Sequence, residues 1–110
     1  MNTKGLHVVA DVWFEEMPTQ AHLLQLIQRA LKASKMTVLR EMTHVFDHEA
    51  FTYAALLGES HFTVHTYPER NYAAMDVYTC GSEGDPVVAI QAVLSACDLA
   101  DSKLRILGRG

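Results

Sequence analysis

A serine, two histidines and a cysteine in the second half of the chain have the chemistry of nucleophiles and proton carriers. The segment from Gly58 to Glu69 contains Ser60, His61 and His65, and Cys80 ends the next strand-like segment. Imidazole and thiol groups titrate near neutral pH, so together they can accept and donate protons. These residue types favour an acid–base or nucleophilic site.

Alternation of apolar and polar residues in this segment predicts a strand with two different faces. His61, Thr63 and His65 share the polar face, because successive side chains of a strand point to opposite sides. Ser60 and His65 would point to opposite faces, roughly 16 Å apart at about 3.3 Å per residue. For the two to cooperate, the backbone must turn or bulge between Gly58 and His61, where glycine permits it.

The next segment, Tyr72 to Cys80, is also strand-like. Cys80 lies on the same predicted face as Asp76 and Tyr78. A short turn over residues 68–71 joins the two segments and predicts a hairpin. The hairpin is expected to bring the thiol and an imidazole together.

The rest of the chain predicts the elements that must position these residues. Thr19 is the N-cap of a first helix that ends near Ser34, and Asp85, followed by Pro86, is the N-cap of a second. That second helix is predicted over 87–97, and strands over 6–14, 37–45, 51–57, 62–67, 72–80 and 104–107. This order predicts an α+β fold, a two-layer αβ sandwich of a mostly antiparallel sheet with two helices on one face.

Composition limits the class of protein. The chain has 110 residues, is 49% apolar and 20% charged, and carries a net charge of −4, which favours one domain over 1–110 and no nucleic-acid partner. Its apolar runs are far shorter than the roughly 18–20 residues of a membrane span, and no secretory signal follows Met1. Two cysteines favour a reduced, cytoplasmic chain. In so small an enzyme, a site at an oligomer interface is expected.

Two motifs carry a resemblance to a known family. Residues 59–69 read Glu-Ser-His-X-Thr-X-His-Thr-aromatic-Pro-Glu, and residues 72–81 read Tyr-Ala-Ala-X-Asp-X-Tyr-Thr-Cys-Gly. This pattern resembles the prokaryotic S-adenosylmethionine decarboxylases, which are pyruvoyl-dependent and cleave themselves. The resemblance extends over nearly the whole chain, because Gly5, His7 and the Asp85-Pro86 helix start also fit.

The resemblance implies a maturation reaction at one serine. The chain would break between Glu59 and Ser60, giving fragments 1–59 and 60–110. An N-to-O acyl shift to the Ser60 hydroxyl, elimination and hydrolysis would leave a pyruvoyl group, the cofactor, on the second fragment. Its ketone would form a Schiff base with the substrate amine and act as an electron sink.

The resemblance also implies roles for five further residues. His65 would remove the α-proton of Ser60 during processing, and Thr52 would support that step. Cys80 would protonate the product carbon. Substrate binding would use Glu69 on the ribose hydroxyls and Phe46 on adenine. The implied protein is a homodimer that decarboxylates S-adenosylmethionine to the aminopropyl donor for spermidine synthesis.

The sequence departs from the family pattern at several positions. Thr52 replaces the usual serine, and its stiffer side chain is expected to slow processing. Arg70-Asn71 replaces the usual Tyr-Gly, and Tyr67 a commoner tryptophan. Thr3 and Lys4 stand where an apolar second wall for adenine is usual. Arginine or ornithine as substrate therefore remains an alternative, as does an unprocessed, non-catalytic relative.

Other histidines and cysteines have simpler interpretations. A metal site on His61 and His65, completed by His44 or His48, is an alternative that no ligand spacing supports, so no metal is predicted. His7 and His22 are interpreted as surface or edge histidines. Cys97 is expected to pack in the core.

Overall fold

The computed structural model describes residues 3–58, 60–80 and 84–110. The elements follow one another along the chain as strand β1 (Gly5–Phe14), helix α1 (Gln20–Ala33), strands β2 (Val38–Val45), β3 (Phe51–Leu57) and β4 (Ser60–Tyr67), a 3-10 turn (Pro68–Arg70), strand β5 (Tyr72–Cys80), helix α2 (Pro86–Ser95) and strand β6 (Leu99–Arg109). The strands form one sheet in the order β2-β3-β4-β5-β1-β6. Each of its five ladders is antiparallel, which confirms the predicted α+β sandwich.

One face of the sheet and both helices form the core. Alternate residues of the central strands, such as Val12, Phe62 and Val77, are fully buried there. They pack in one cluster with apolar residues of both helices, including Leu23 of α1 and Ile90 of α2. Burial of this apolar area is the main force that holds the two layers together. The other face of the sheet carries polar and half-buried side chains.

Both predicted helix starts are confirmed. The Thr19 side chain accepts a hydrogen bond from the backbone N–H of His22 at 3.2 Å, and the Asp85 side chain accepts one from Val87 at 2.9 Å. These side chains satisfy N–H groups that have no partner within the helix. Neither helix in the described part of the chain has the length or apolar composition of a membrane-spanning segment.

The boundaries of α2 and β6 differ most from prediction. Helix α2 ends at Ser95, and Cys97, beyond it, is partly buried against the core as expected. Strand β6 has 11 residues and pairs with β1 along its length, whereas the sequence predicts only residues 104–107. The helices leave β6 exposed, so little apolar alternation marks its ends.

The predicted turn or bulge between Gly58 and His61 is only partly right. Gly58 lies in the turn between β3 and β4, but β4 begins at Ser60. Its register with both neighbouring strands is regular from Ser60 onward. Because the strand is continuous, Ser60 and His65 lie on opposite faces. The two side chains therefore do not meet within one chain.

Candidate active site

Four of the predicted site residues line one cavity at one end of the open sheet face. Its volume is about 320 Å³, and Phe46, Thr52, His65 and Glu69 contribute to its walls together with Tyr67. Phe46 directly follows β2, Thr52 belongs to β3, His65 and Tyr67 to β4, and Glu69 to the 3-10 turn. We call this group the aromatic half of the site.

A hydrogen bond across two strands organises this half. Thr52 and His65 are directly opposite in the β3–β4 register, and their Oγ1 and Nδ1 atoms lie 2.9 Å apart. The bond orients the imidazole through one ring nitrogen and does not use the other. A fixed ring with an unused nitrogen is suited to proton transfer.

The aromatic and the carboxylate of this half have different supports. Phe46 is 53% exposed, and its ring meets His44 edge-on at a centroid distance of 4.5 Å. Glu69 belongs to the 3-10 turn, which ends at Asn71 with a left-handed φ of 49°. Asparagine adopts that conformation more readily than most residues. The Asn71 substitution therefore preserves a turn that a glycine would also form.

The serine and the cysteine lie together at the opposite end of β4 and β5. Ser60 pairs with Thr79, next to Cys80, and Cys80 pairs with Gly5 of β1. The Ser60 hydroxyl donates a hydrogen bond to the Gly58 carbonyl at 3.1 Å. Glu59, the other residue of the predicted cleavage site, lies outside the described residues. We call Ser60 and Cys80 the thiol half of the site.

The two halves are far apart in a single chain. His65 pairs with Ala74, and Cys80 lies six residues further along β5. At about 3.3 Å per residue this is roughly 20 Å. The hairpin thus forms as predicted but does not join Cys80 to His65. The imidazoles nearest the thiol half belong to His61 and to His7, both opposite Tyr78.

A cluster of hydrogen-bonded side chains lies between the two halves of the site. It consists of His7, His61, Thr63 and Asp76, and we call it the Asp76 cluster. The Nε2 atoms of His7 and His61 lie 2.6 and 3.1 Å from the same carboxylate oxygen, Oδ2 of Asp76. Thr63 donates to the second oxygen, Oδ1. Burial acts to raise the pKa of Asp76, but these three hydrogen bonds and the electrostatic attraction of His61 outweigh it and hold that pKa below its ordinary value.

This cluster corrects the sequence interpretation of His7. His7 is neither on the surface nor at an edge, because β1 lies between β5 and β6 and the His7 side chain is 19% exposed. His22 is exposed, as expected. His61 and His65 do not converge on a shared ligand position, since they pair with Tyr78 and Ala74. Sequence reasoning missed the cluster because the β1–β5 register that brings His7 to Asp76 has no local signal.

A different set of residues is close enough to be considered for a metal. Among residues 3–58, 60–80 and 84–110, only His7, His61 and Asp76 form such a group, with ligand atoms within 4.8 Å. Arg109 lies 3.4 Å from Nδ1 of His7 and donates to it. This contact leaves the proton on Nε2, the nitrogen that faces Asp76. We therefore interpret the group as a hydrogen-bonded unit.

Comparison with known proteins agrees with the motifs. The S-adenosylmethionine decarboxylase family matches residues 6–110. S-adenosylmethionine decarboxylase proenzyme 2 of Bacillus anthracis is 37% identical over 99% of this chain and 91% of its own length. The proenzyme of Brevibacillus brevis is also 37% identical, over 99% of this chain and 84% of its own.

A solved structure shows the same fold. The crystal structure of the adenosylmethionine decarboxylase from Aquifex aeolicus superimposes with a TM-score of 0.88 at 26% sequence identity. The match covers 100% of this chain and 93% of the other. The likeness therefore includes the whole sheet that carries both halves of the site.

Proposed function

The chain belongs to the S-adenosylmethionine decarboxylase family, and we propose that it decarboxylates S-adenosylmethionine with a pyruvoyl group made from its own Ser60. The observation that carries this proposal is the cavity shared by Phe46, Thr52, His65 and Glu69. These residues are matched to the family from the sequence alone, yet β3, β4, the residue after β2 and the 3-10 turn bring them together. An aromatic ring and a carboxylate in one cavity suit an adenosine, through stacking and hydrogen bonds to the ribose.

Processing begins at Ser60 in this proposal. The Ser60 hydroxyl attacks the Glu59 carbonyl, the peptide C–N bond breaks, and an ester forms. Loss of the Ser60 α-proton then breaks the Cβ–O bond and releases residues 1–59 as a carboxylate. The remaining dehydroalanine becomes an imine, and water converts it to the ketone with release of ammonia. His65 is the proposed acceptor of the α-proton, and Thr52 orients its ring.

The residues around a pyruvoyl group at position 60 fit its chemistry. Ser60 begins β4 beside the Gly58 turn, so a chain end there leaves the sheet register intact. When present, the ketone would supply an electrophile for the substrate amine and an electron sink for the bond to the carboxyl group. Cys80 is the proposed donor of the proton that replaces CO₂ on the product carbon. Phe46 and Glu69 hold the nucleoside in place.

The distance between the halves argues for a site made by two chains. His65 cannot reach Ser60, because the two lie on opposite faces of β4 and roughly 16 Å apart along the strand. Cys80 lies on the open sheet face, as His65 does, and Ser60 is at the neighbouring end of β4. A second copy packed face to face can therefore place its aromatic half over the thiol half of the first. We therefore propose a homodimer with two shared sites, which a two-fold axis makes equivalent.

Location and pathway follow from this proposal. The chain has only two cysteines, Cys80 and Cys97, which suits the reducing cytoplasm, where we place the enzyme. The product would be an aminopropyl donor for spermidine synthesis.

Intact mass spectrometry of the purified protein tests the proposal. We expect fragments 1–59 and 60–110, with the second lacking its serine amine and gaining two hydrogens on borohydride reduction. Release of CO₂ from S-adenosylmethionine, but not from arginine or ornithine, identifies the substrate. Release from arginine or ornithine instead would assign the alternative activity. A single uncleaved chain after long incubation would contradict the pyruvoyl mechanism and favour a non-catalytic relative.

A further inference from the structure

The position of the Asp76 cluster has a consequence for the proposed dimer, on which this inference rests. In a face-to-face pair, a two-fold axis runs between the two sheets. The shared site requires Cys80 of one chain to lie over His65 of the other. The axis must therefore cross the strands midway between the positions of these two residues. On β5 that midpoint falls between Asp76 and Tyr78.

Residues at this midpoint face their own copies. On the open face, the row across the strands consists of Ala54 on β3, His61 and Thr63 on β4, Asp76 and Tyr78 on β5, and His7 on β1. Packed sheets lie about 10 Å apart. The charges of the two clusters are therefore separated by about one Debye length at physiological salt, and by less when side chains extend toward each other.

The net charge around the Asp76 cluster is positive even when its two imidazoles are neutral. Strand β6 contributes Arg109, which contacts His7 and lies 4.8 Å from the centre of the Tyr78 ring. A cavity beside Asp76 is lined further by Asp11 of β1, His65 of β4, and Lys103 and Arg105 of β6. The two carboxylates, Asp76 and Asp11, are thus outnumbered by three basic side chains. Protonation of His7 and His61 would add two positive charges per chain.

We propose that the His7–Asp76–His61 unit is the acid-sensitive centre of the interface between two copies of this chain. With both imidazoles neutral, their Nε2 protons are shared with Asp76 and the two clusters can approach. With both imidazoles protonated, four added positive charges meet across the two-fold axis. Repulsion then weakens the dimer, and the shared sites come apart.

Analytical ultracentrifugation of the full-length protein between pH 7.5 and 5.5 tests this proposal. Imidazole is the side chain whose charge ordinarily changes between pH 5 and 8, and the dimer contains four in its two clusters. We therefore expect the Kd to rise by at least about tenfold from pH 7.5 to pH 5.5. In 1 M salt the rise is expected to shrink, because the Debye length falls to about 3 Å.

Variants assign the effect to the cluster. The double variant His7→Gln/His61→Gln is expected to have a nearly pH-independent Kd, and each single variant an intermediate one. His22→Gln, on the exposed side of α1, is the matched control and should behave like wild type. A pH-independent wild-type Kd, or a double variant that keeps the full dependence, would overturn the proposal. Should the glutamine variants fold poorly, the salt series on the wild type decides.

Failure of this inference can be told apart from failure of the proposed function. Processing and CO₂ release are measured at pH 7.5 on the same wild-type preparation. If both occur and the dimer Kd does not change with pH, only the acid-sensitive interface is wrong. If the chain is processed and active as a monomer, the shared site is wrong as well.

Discussion

Thr52 and His65 face each other across β3 and β4, with 2.9 Å between the threonine hydroxyl and Nδ1 of the imidazole. The pairing links a residue expected to support processing with the residue expected to carry it out. Because the two belong to different strands, the sheet register alone sets their distance. The hydroxyl is therefore expected to act on processing through the orientation of the ring.

Thr52→Val removes this hydroxyl and keeps the shape of the side chain. The loss of one hydrogen bond, about 1 kcal/mol, predicts roughly fivefold slower self-cleavage. The appearance of fragments 1–59 and 60–110 on a denaturing gel gives the rate. Thr52→Ser keeps the hydroxyl and is expected to process at least as fast as wild type. Equal self-cleavage rates for the valine and serine variants would show that the hydroxyl does not contribute to processing.

Cys80→Ala separates processing from decarboxylation. Cleavage should proceed, because the thiol is not needed for the acyl shift at Ser60. Loss of a general acid is expected to lower kcat for decarboxylation by about 10²–10⁴-fold, with little change in KM. Cys97→Ala, at the partly buried second cysteine, is the control and should retain its kcat. A Cys80→Ala enzyme of normal kcat would exclude the thiol as proton donor.

Mixing two defective chains tests whether the site is shared. Cys80→Ala damages only the thiol half, and Phe46→Ala/Glu69→Ala damages only the aromatic half. On random pairing, half of the dimers contain one chain of each kind and have one intact site of two. Co-expression should thus restore about one quarter of wild-type activity, whereas each variant alone is nearly inactive. No gain on mixing would mean that each chain builds its site alone.

A cysteine on the midline of the open face tests the packing of the two sheets. Ala54 is exposed on β3 and lies opposite Thr63, so Ala54→Cys should place two thiols near the two-fold axis. A short bismaleimide is expected to link the chains in high yield on a denaturing gel. Gln91→Cys, exposed on α2, should link little above the wild-type background. Comparable yields for both variants would argue against face-to-face pairing.

The Asp76 carboxylate should stabilise the fold in a pH-dependent way. Its pKa is lowered in the folded chain, where burial is outweighed by hydrogen bonds from Thr63, His7 and His61. Its contribution is therefore complete above the ordinary carboxyl pKa of about 3.9 and is lost as the pH falls through the lowered value. Asp76→Asn is expected to reduce the free energy of unfolding by about 1–3 kcal/mol at pH 7.

Urea unfolding at fixed protein concentration measures this difference. The gap between wild type and Asp76→Asn should narrow below about pH 4, where the carboxyl of the wild type becomes neutral. Asp98→Asn, at an exposed carboxylate, should lie within about 0.5 kcal/mol of wild type throughout. A gap that stays constant from pH 7 to pH 3 would show that the charge of Asp76 plays no part.

Local patterns in the sequence determined the elements and the nature of the residues at the site. Thr19 and Asp85 mark helix starts because a capping side chain acts within three residues of itself. The polar face of β4 follows from strict alternation, and the motif around Ser60 identifies the family. Strand β6 was mostly missed, because an edge strand that no helix covers has little apolar pattern to detect.

Only the tertiary structure decided which of these residues meet. The register across β3, β4 and β5 places His65 beside Thr52 and far from Cys80, and the β1–β5 ladder brings His7 onto Asp76 across 69 positions of the sequence. Such pairings depend on the sum of many weak contacts along each ladder, and a one-residue shift would turn every side chain to the other face. A short segment of sequence contributes only a few of those contacts, so it cannot by itself determine which residues pair across the sheet.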